Sequence, residues 1–304
     1  MNGNDLHPLV LQMQSSMEPW EYEVAGLTLR GWHSRPTGKP VIHFIHGNGF
    51  SVLTYAPFLF PLMNHYDLFL SSAQGHGDST DGGDFRGWNQ NAEYCLQAWQ
   101  AHNHPWRKVR HIAMGHSFGG VLSALIVGSR RHGFDQLVML DPVLFSRSMI
   151  GVMAFADFIG YGTINKLAEK TLKRRTQWRD RAEVVTSLEG KGMFAHWVKE
   201  ALECYASDAI EVLNDTTVGL KCPPVIEAGI FSSYPRQLWR SLSRIDVPVV
   251  MLYGEKTYPF VQNAAIKVKK MHSKSYIKQL PGGHCFMLEE VEAAYTACLE
   301  ALAL

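Results

Sequence analysis

The chain has 304 residues, 46% of them hydrophobic and 19% charged, an ordinary composition for a folded globular protein. Lysine plus arginine number 29 against 28 aspartate plus glutamate, a net charge of +1. That balance argues against nucleic acid or an anionic membrane as partner. The five cysteines, at 95, 204, 222, 285 and 298, form no C-x-x-C pair. A disulfide framework or a zinc site is therefore not expected, and a reducing, cytoplasmic compartment fits better.

No apolar run reaches the ~18 residues needed to span a bilayer. Met1 to Met17 has neither a basic n-region nor a sustained apolar h-region, so no signal peptide is expected. A chain of this length buries roughly three quarters of its unfolded surface, as one large domain or one domain with an insertion. A monomer and a homodimer both remain open.

Residues 1–17 read as a loose extension. Trp20 to Val24 alternates large apolar and acidic residues, as a half-buried strand does, and Leu27 to Trp32 is a second strand. Val41 to Ile45 is a buried strand that ends in His46-Gly47-Asn48-Gly49-Phe50. Ser51 to Asn64 reads as a helix. Asp67 to Ser71 is a short strand followed by the loop Gly75-His76-Gly77-Asp78-Ser79. Trp88 to Asn103 has helical periodicity. Val109 to Met114 is a strand, Gly115-His116-Ser117-Phe118-Gly119-Gly120 a sharp turn, and Val121 to Val127 an apolar helix. Phe134 to Leu140 is a sixth strand, ending in Asp141-Pro142. Strands alternating with helices call for a mostly parallel sheet covered on both faces, with the ligand crevice at the carboxyl ends of the strands. His46, Ser117 and Asp141 each fall at such an end.

From about residue 146 to 245 the alternation breaks, and the stretch reads as a mainly helical insertion into a core of 1–145 and 246–304. The basic run Lys173-Arg174-Arg175 reads as a solvated helix side, because Glu169, Asp180 and Glu183 are interleaved with it. Val247 to Tyr253 then returns as a strand, Pro259 to Met271 as a helix and Ser275 to Leu280 as the last strand. Pro281-Gly282-Gly283-His284 is a glycine loop presenting a histidine, and Leu288 to Leu302 is a closing amphipathic helix.

The turn at 115–120 fits G-x-S-x-G between strand and helix, a nucleophile elbow. Strand and helix approach so closely there that side chains at 115 and 119 would collide. Ser117 is left exposed at a helix N-terminus, where developing negative charge is favoured. A serine hydroxyl needs a base to remove its proton. His284, late in the chain and on a glycine loop, stands in the order expected of that base. His116 reads as structural, and His46 and His76 as residues that order loops. The His46–Phe50 loop would supply one oxyanion-hole N–H, that of Asn48, and Phe118 the other.

Taken together, these segments resemble the α/β-hydrolase superfamily, in its capped esterase, lipase and C–C hydrolase-like branch. The resemblance is carried by His46-Gly47-Asn48-Gly49, Gly75-His76-Gly77-Asp78-Ser79, Gly115 to Gly120, Val249 to Gly254 and Gly282-Gly283-His284, in that order. It spans residues 20 to 300 and implies the α/β-hydrolase fold with the 146–245 insert, after strand six, as a helical cap. Relatives commonly carry the acid as G-x-x-D after the seventh strand, but here that segment reads Gly254-Glu255-Lys256-Thr257. Two carboxylates stay open: Asp141, at a second location relatives use, and Glu255, two residues early in the usual loop.

The expected activity is a serine hydrolase with no cofactor and no metal, acting on a small, mainly apolar ester or related acyl substrate. Phe155, Trp197 and Phe231, together with Phe158, Tyr161, Trp178 and Phe194, are the aromatic residues that could line an apolar pocket. A cofactor-free C–C hydrolase or perhydrolase, and a receptor-like ligand binder with little turnover, are the competing readings.

Overall fold

The structure is a computed structural model that describes residues 5–129, 131, 133–159 and 166–304. In chain order the strands are β1 (Met17–Val24), β2 (Leu27–Ser34), β3 (Val41–Ile45), β4 (Asp67–Ser71), β5 (His111–His116) and β6 (Gln136–Leu140). They continue with β7 (Gln177–Trp178), β8 (Ile210–Asn214), β9 (Thr217–Leu220), β10 (Val249–Gly254) and β11 (Tyr276–Leu280). The helices are α1 (Pro8–Ser16), α2 (Ala56–Leu62), α3 (Trp88–His102), α4 (Phe118–Gly128), α5 (Arg147–Phe158), α6 (Lys166–Leu172) and α7 (Arg181–Leu188). After them come α8 (Lys199–Asp208), α9 (Pro224–Phe231), α10 (Leu238–Leu242), α11 (Pro259–Met271), α12 (Phe286–Glu289) and α13 (Val291–Leu302).

Eight strands form one sheet in the order β1-β2-β4-β3-β5-β6-β10-β11. Pairing is antiparallel for β1 with β2 and β2 with β4, and parallel from there on. This is the α/β-hydrolase architecture. The inner strands β3, β4, β5 and β6 are buried at every residue, which is why they read as continuous apolar runs and not as alternations. Helix α4 is likewise buried along its whole length; it lies at the centre of the molecule, so its sequence is apolar on all sides.

Two stretches depart from the sequence reading. The N-terminal segment is not a loose extension: Pro8–Ser16 is a helix, with the His7 side chain accepting from the N–H of Leu9 at its start. It is held by buried Val10 and Met13 and by the His7 N–H, which donates to Ser207 Oγ at 2.8 Å. Nine residues with two buried anchors give too weak a periodic signal to stand out. Within 146–245, besides the helices, β7, β9 and β8 form a small three-stranded sheet. Strand β8 exposes four of its five residues and β7 is two residues long, so neither carries the alternation that marks a half-buried strand. Tyr161 lies outside the described residues.

Side chains of this insert join the central apolar clusters. Trp178, Phe194, Trp197 and Tyr205 pack with Phe44, Phe50 and Tyr55, and Leu238, Trp239 and Leu242 pack with α4 residues such as Val121 and Leu122.

Candidate active site

Three strand ends and one late loop converge at the carboxyl edge of the sheet. Ser117 sits between β5 and α4 with φ 53° and ψ −112°, a strained conformation for a residue with a side chain. Sterics at the turn require glycine on both sides. A Cβ on Gly115 would stand 2.3 Å from the carbonyl of Gly119, and one on Gly119 would stand 2.1 Å from Ile45 O. The strand end is tied down by the Ser117 N–H, which donates to Leu140 O at 3.0 Å.

Asp141 follows β6, also at positive φ (42°), and is fully buried. Its N–H donates to Leu252 O at 2.7 Å. Its Oδ2 accepts the Gly254 N–H at 2.8 Å, and its Oδ1 accepts the Thr257 hydroxyl at 2.5 Å. His284 reaches the same oxygen: Nδ1 lies 2.7 Å from Asp141 Oδ1 while Nε2 lies 2.9 Å from Ser117 Oγ. The loop carrying it fits tightly onto β10, since a Cβ on Gly254 would stand 2.0 Å from Gly283 O. The sequence thus brings Ser117, His284 and Asp141 into one hydrogen-bonded line. Glu255 is not part of it: it is exposed, its N–H donates to Leu280 O and its carbonyl accepts from Gln262.

The β3–α2 loop stands beside Ser117. Its N–H groups at Gly47 and Gly49 are taken, by Tyr55 Oη at 2.9 Å and His76 Nε2 at 3.0 Å. Between them, the Asn48 N–H has no acceptor among the described residues, and neither has that of Phe118 at the first position of α4. The Asn48 side chain is engaged elsewhere, its Nδ2 donating to Glu227 O of α9 at 3.1 Å. Glu227 itself lies over Gly49 and pairs at 2.5 Å with Arg174, so that one member of the basic run is an ion-pair partner and not a solvated side chain. Its carboxyl is pushed up by burial and pulled back down by Arg174.

Three further histidines are fully buried around the site: His46, His76 and His116. Burial holds all three below the ordinary imidazole value, His76 at about 4. Each has a fixed tautomer, because an amide N–H can only donate and a carbonyl only accept. His46 Nε2 accepts from Ala73 and its Nδ1–H donates to Gly47 O; His76 Nδ1–H donates to Gln74 O. The loop-ordering role expected of His46 and His76 is visible in these bonds.

The predicted aromatic lining is spread out. Trp197 is buried, its ring 5.2 Å from that of Phe50 in the β3–α2 loop. Phe231 is half-buried at the end of α9. Phe155 is 64% exposed on α5, a helix that buries none of its residues. Among the described residues no group of three or more His, Cys, Asp or Glu side chains could hold a metal ion, and no helix is long and apolar enough to cross a membrane.

The profile of the alpha/beta hydrolase family matches residues 44–297, and the chain belongs to that family. It is, on that membership, a hydrolase. No curated protein sequence matches it. Solved structures with the same fold include E-2-(acetamidomethylene)succinate hydrolase, at 15% identity and a TM-score of 0.72 over 95% of this chain and 100% of that one. Another is the peroxisomal alpha-beta-hydrolase Lpx1 from Saccharomyces cerevisiae, at 16% identity and 0.72 over 95% and 91%. A third is the thioesterase domain from the curacin biosynthetic pathway, at 17% identity and 0.69 over 94% and 99%.

Proposed function

We propose that the protein is a serine hydrolase acting on a small, mainly apolar ester or related acyl substrate. The observation that carries this reading is the unbroken line from Asp141 Oδ1 through His284 to Ser117 Oγ, at 2.7 and 2.9 Å. Ser117 attacks the acyl carbonyl while His284 Nε2 takes its proton. Asp141 accepts from Nδ1–H, holding the imidazole in one tautomer and stabilising the imidazolium that forms. The uncommitted N–H groups of Asn48 and Phe118 receive the oxyanion. His284 then hands its proton to the leaving group and activates the water that releases the acyl group. Every step is a proton transfer, an addition to a carbonyl or the collapse of the resulting tetrahedral intermediate, which expels first the leaving group and then Ser117 Oγ, so the scheme uses no cofactor.

Residues 146–245 act as a cap over a core of 1–145 and 246–304. Trp197, against Phe50 of the β3–α2 loop, and Phe231, at the end of α9, give the acyl group an apolar setting in this reading. Five free, buried cysteines support a reducing compartment. A thioesterase domain among the structural neighbours fits acyl-transfer chemistry. The test is turnover of p-nitrophenyl acetate and butyrate. Ser117→Ala lowers kcat by at least about 10³-fold, and unchanged turnover in that variant refutes the proposal.

A further inference from the structure

We propose that His116 is a positioning residue: with Tyr55 it locks the loop bearing the oxyanion donor to the loop bearing His284. This rests on the serine-hydrolase reading above. His116 is the last residue of β5 and immediately precedes Ser117, yet its side chain serves two other segments.

Three hydrogen bonds run in series. The Gly47 N–H donates to Tyr55 Oη at 2.9 Å. Tyr55 Oη donates to His116 Nδ1 at 2.7 Å. His116 Nε2–H donates to the main-chain oxygen of His284 at 3.0 Å. The direction is fixed from both ends. An amide N–H can only donate, so Tyr55 accepts there and must give its own proton to His116. A carbonyl can only accept, so the His116 proton is on Nε2 and Nδ1 is free to accept from Tyr55. One tautomer satisfies the whole series, and no group in it is left over.

The packing leaves no slack. Tyr55 and His116 are fully buried. A Cβ on Gly47 would stand 2.8 Å from His116 Nδ1 and 3.1 Å from Tyr55 Oη. Phe50, from the same loop, stacks on the His116 ring at 6.1 Å, and the His284 ring lies 5.0 Å from it on centroids. The imidazole is thus wedged between the loop of Asn48 and the catalytic-site histidine. Protonating Nδ1 would set two donors against each other at Tyr55. Burial and the neighbouring His284 and His46 keep the ring neutral.

The consequence is kinetic. The scheme needs the Asn48 N–H and His284 Nε2 on opposite sides of one reacting carbon. An error of about 1 Å between such groups costs about 100-fold in rate. The series fixes their separation without touching substrate.

The test uses Tyr55→Phe, His116→Phe and the double variant. With p-nitrophenyl acetate, each single variant loses about tenfold to a hundredfold in kcat while KM changes less than twofold. The double variant is no slower than the slower single, because either break opens the same series. Fluorophosphonate titration still finds one reactive serine per folded chain. If the loss comes wholly from fewer titratable sites with normal kcat per site, or if the two effects multiply, the proposal is overturned. Nitrogen NMR of the resting protein gives a second reading that does not depend on turnover. The proton of His116 resides on Nε2 and does not titrate between pH 5 and 9; a ring that titrates, or carries its proton on Nδ1, overturns the proposal. A wild-type protein inert to both ester and fluorophosphonate would sink the hydrolase reading first, and the catalytic role with it.

Discussion

The hydroxyl of Thr257 donates to Oδ1 of Asp141 across 2.5 Å, the same oxygen that faces Nδ1 of His284. Residue 257 is where relatives commonly carry the acid. Here the carboxylate comes instead from the end of the adjacent parallel strand β6, and position 257 supplies a donor to it. Positions 141 and 257 stand close together because β6 and β10 run side by side in parallel. Thr257→Val keeps the branched shape and removes the donor. A hydrogen bond to a charged group is worth about 1.5–3 kcal/mol, so kcat/KM for p-nitrophenyl acetate falls about tenfold or more. An unchanged value would mean the hydroxyl does not help hold the carboxylate.

Exchange of the two positions gives a sharper prediction. Asp141→Asn lowers kcat by about 10³- to 10⁴-fold, since the imidazole loses both its tautomer and its counter-charge. Glu255 is exposed and, among the described residues, bonded only through its main chain, so Glu255→Gln changes kcat less than twofold. Asp141→Thr combined with Thr257→Asp recovers at least a tenfold part of the Asp141→Asn loss. Steady-state kinetics on the three variants decide; a large effect at Glu255 would move the acid there.

A buried ion pair lies over the β3–α2 loop. Glu227 is almost fully buried over Gly49, with Arg174 2.5 Å away. Removing one partner of such a pair leaves an uncompensated buried charge, at a cost of about 3 kcal/mol, whereas an apolar pair of similar volume is often neutral. Arg174→Met therefore lowers stability by that amount, and Arg174→Met with Glu227→Leu restores most of it. Urea unfolding of both variants checks this. Equal stability of the single and double variants would contradict it.

Acid stability has a named source in the core. His43 is fully buried, its ring among those of Phe69, Trp99 and Phe134, and burial pushes its pKa down to about 3. A histidine with a depressed folded value takes up its proton only in the unfolded chain, so its contribution is present above 6.5 and is lost as pH falls from there toward 3. Between pH 7 and 5 this group alone withdraws about 2 kcal/mol of stability. His43→Phe removes that proton uptake. Wild type then loses about 2 kcal/mol more than the variant over the same interval in urea unfolding. Parallel losses would mean His43 stays neutral in both states, or charges in both.

Where the chain obeys steric or burial rules locally, the fold and the geometry of the candidate site were legible. Gly115 and Gly119 mark the elbow because nothing larger fits against Ile45 and the turn itself. The buried strands announce themselves as apolar runs, and His284 by its place on a glycine loop after the last strand. What escaped depends on long-range pairing. The acid could be narrowed only to Asp141 or Glu255, because what separates them is which strand end faces His284 in space. The bonds of His116 to Tyr55, 61 residues away, and to the His284 carbonyl, 168 away, leave no trace in local pattern. Arg174 looked like one charge in a solvated run because Glu227, 53 residues on, is its partner. The small sheet of β7, β9 and β8 was invisible for want of alternation.

The most direct measurement is reaction of the folded protein with a fluorophosphonate, followed by mapping of the labelled residue. One label per chain on Ser117 is expected, absent in Ser117→Ala and forming at least about 10²-fold more slowly in His284→Ala. A Ser117 that stays unlabelled in folded wild-type protein, or labels as fast without His284, would contradict an activated serine at this site.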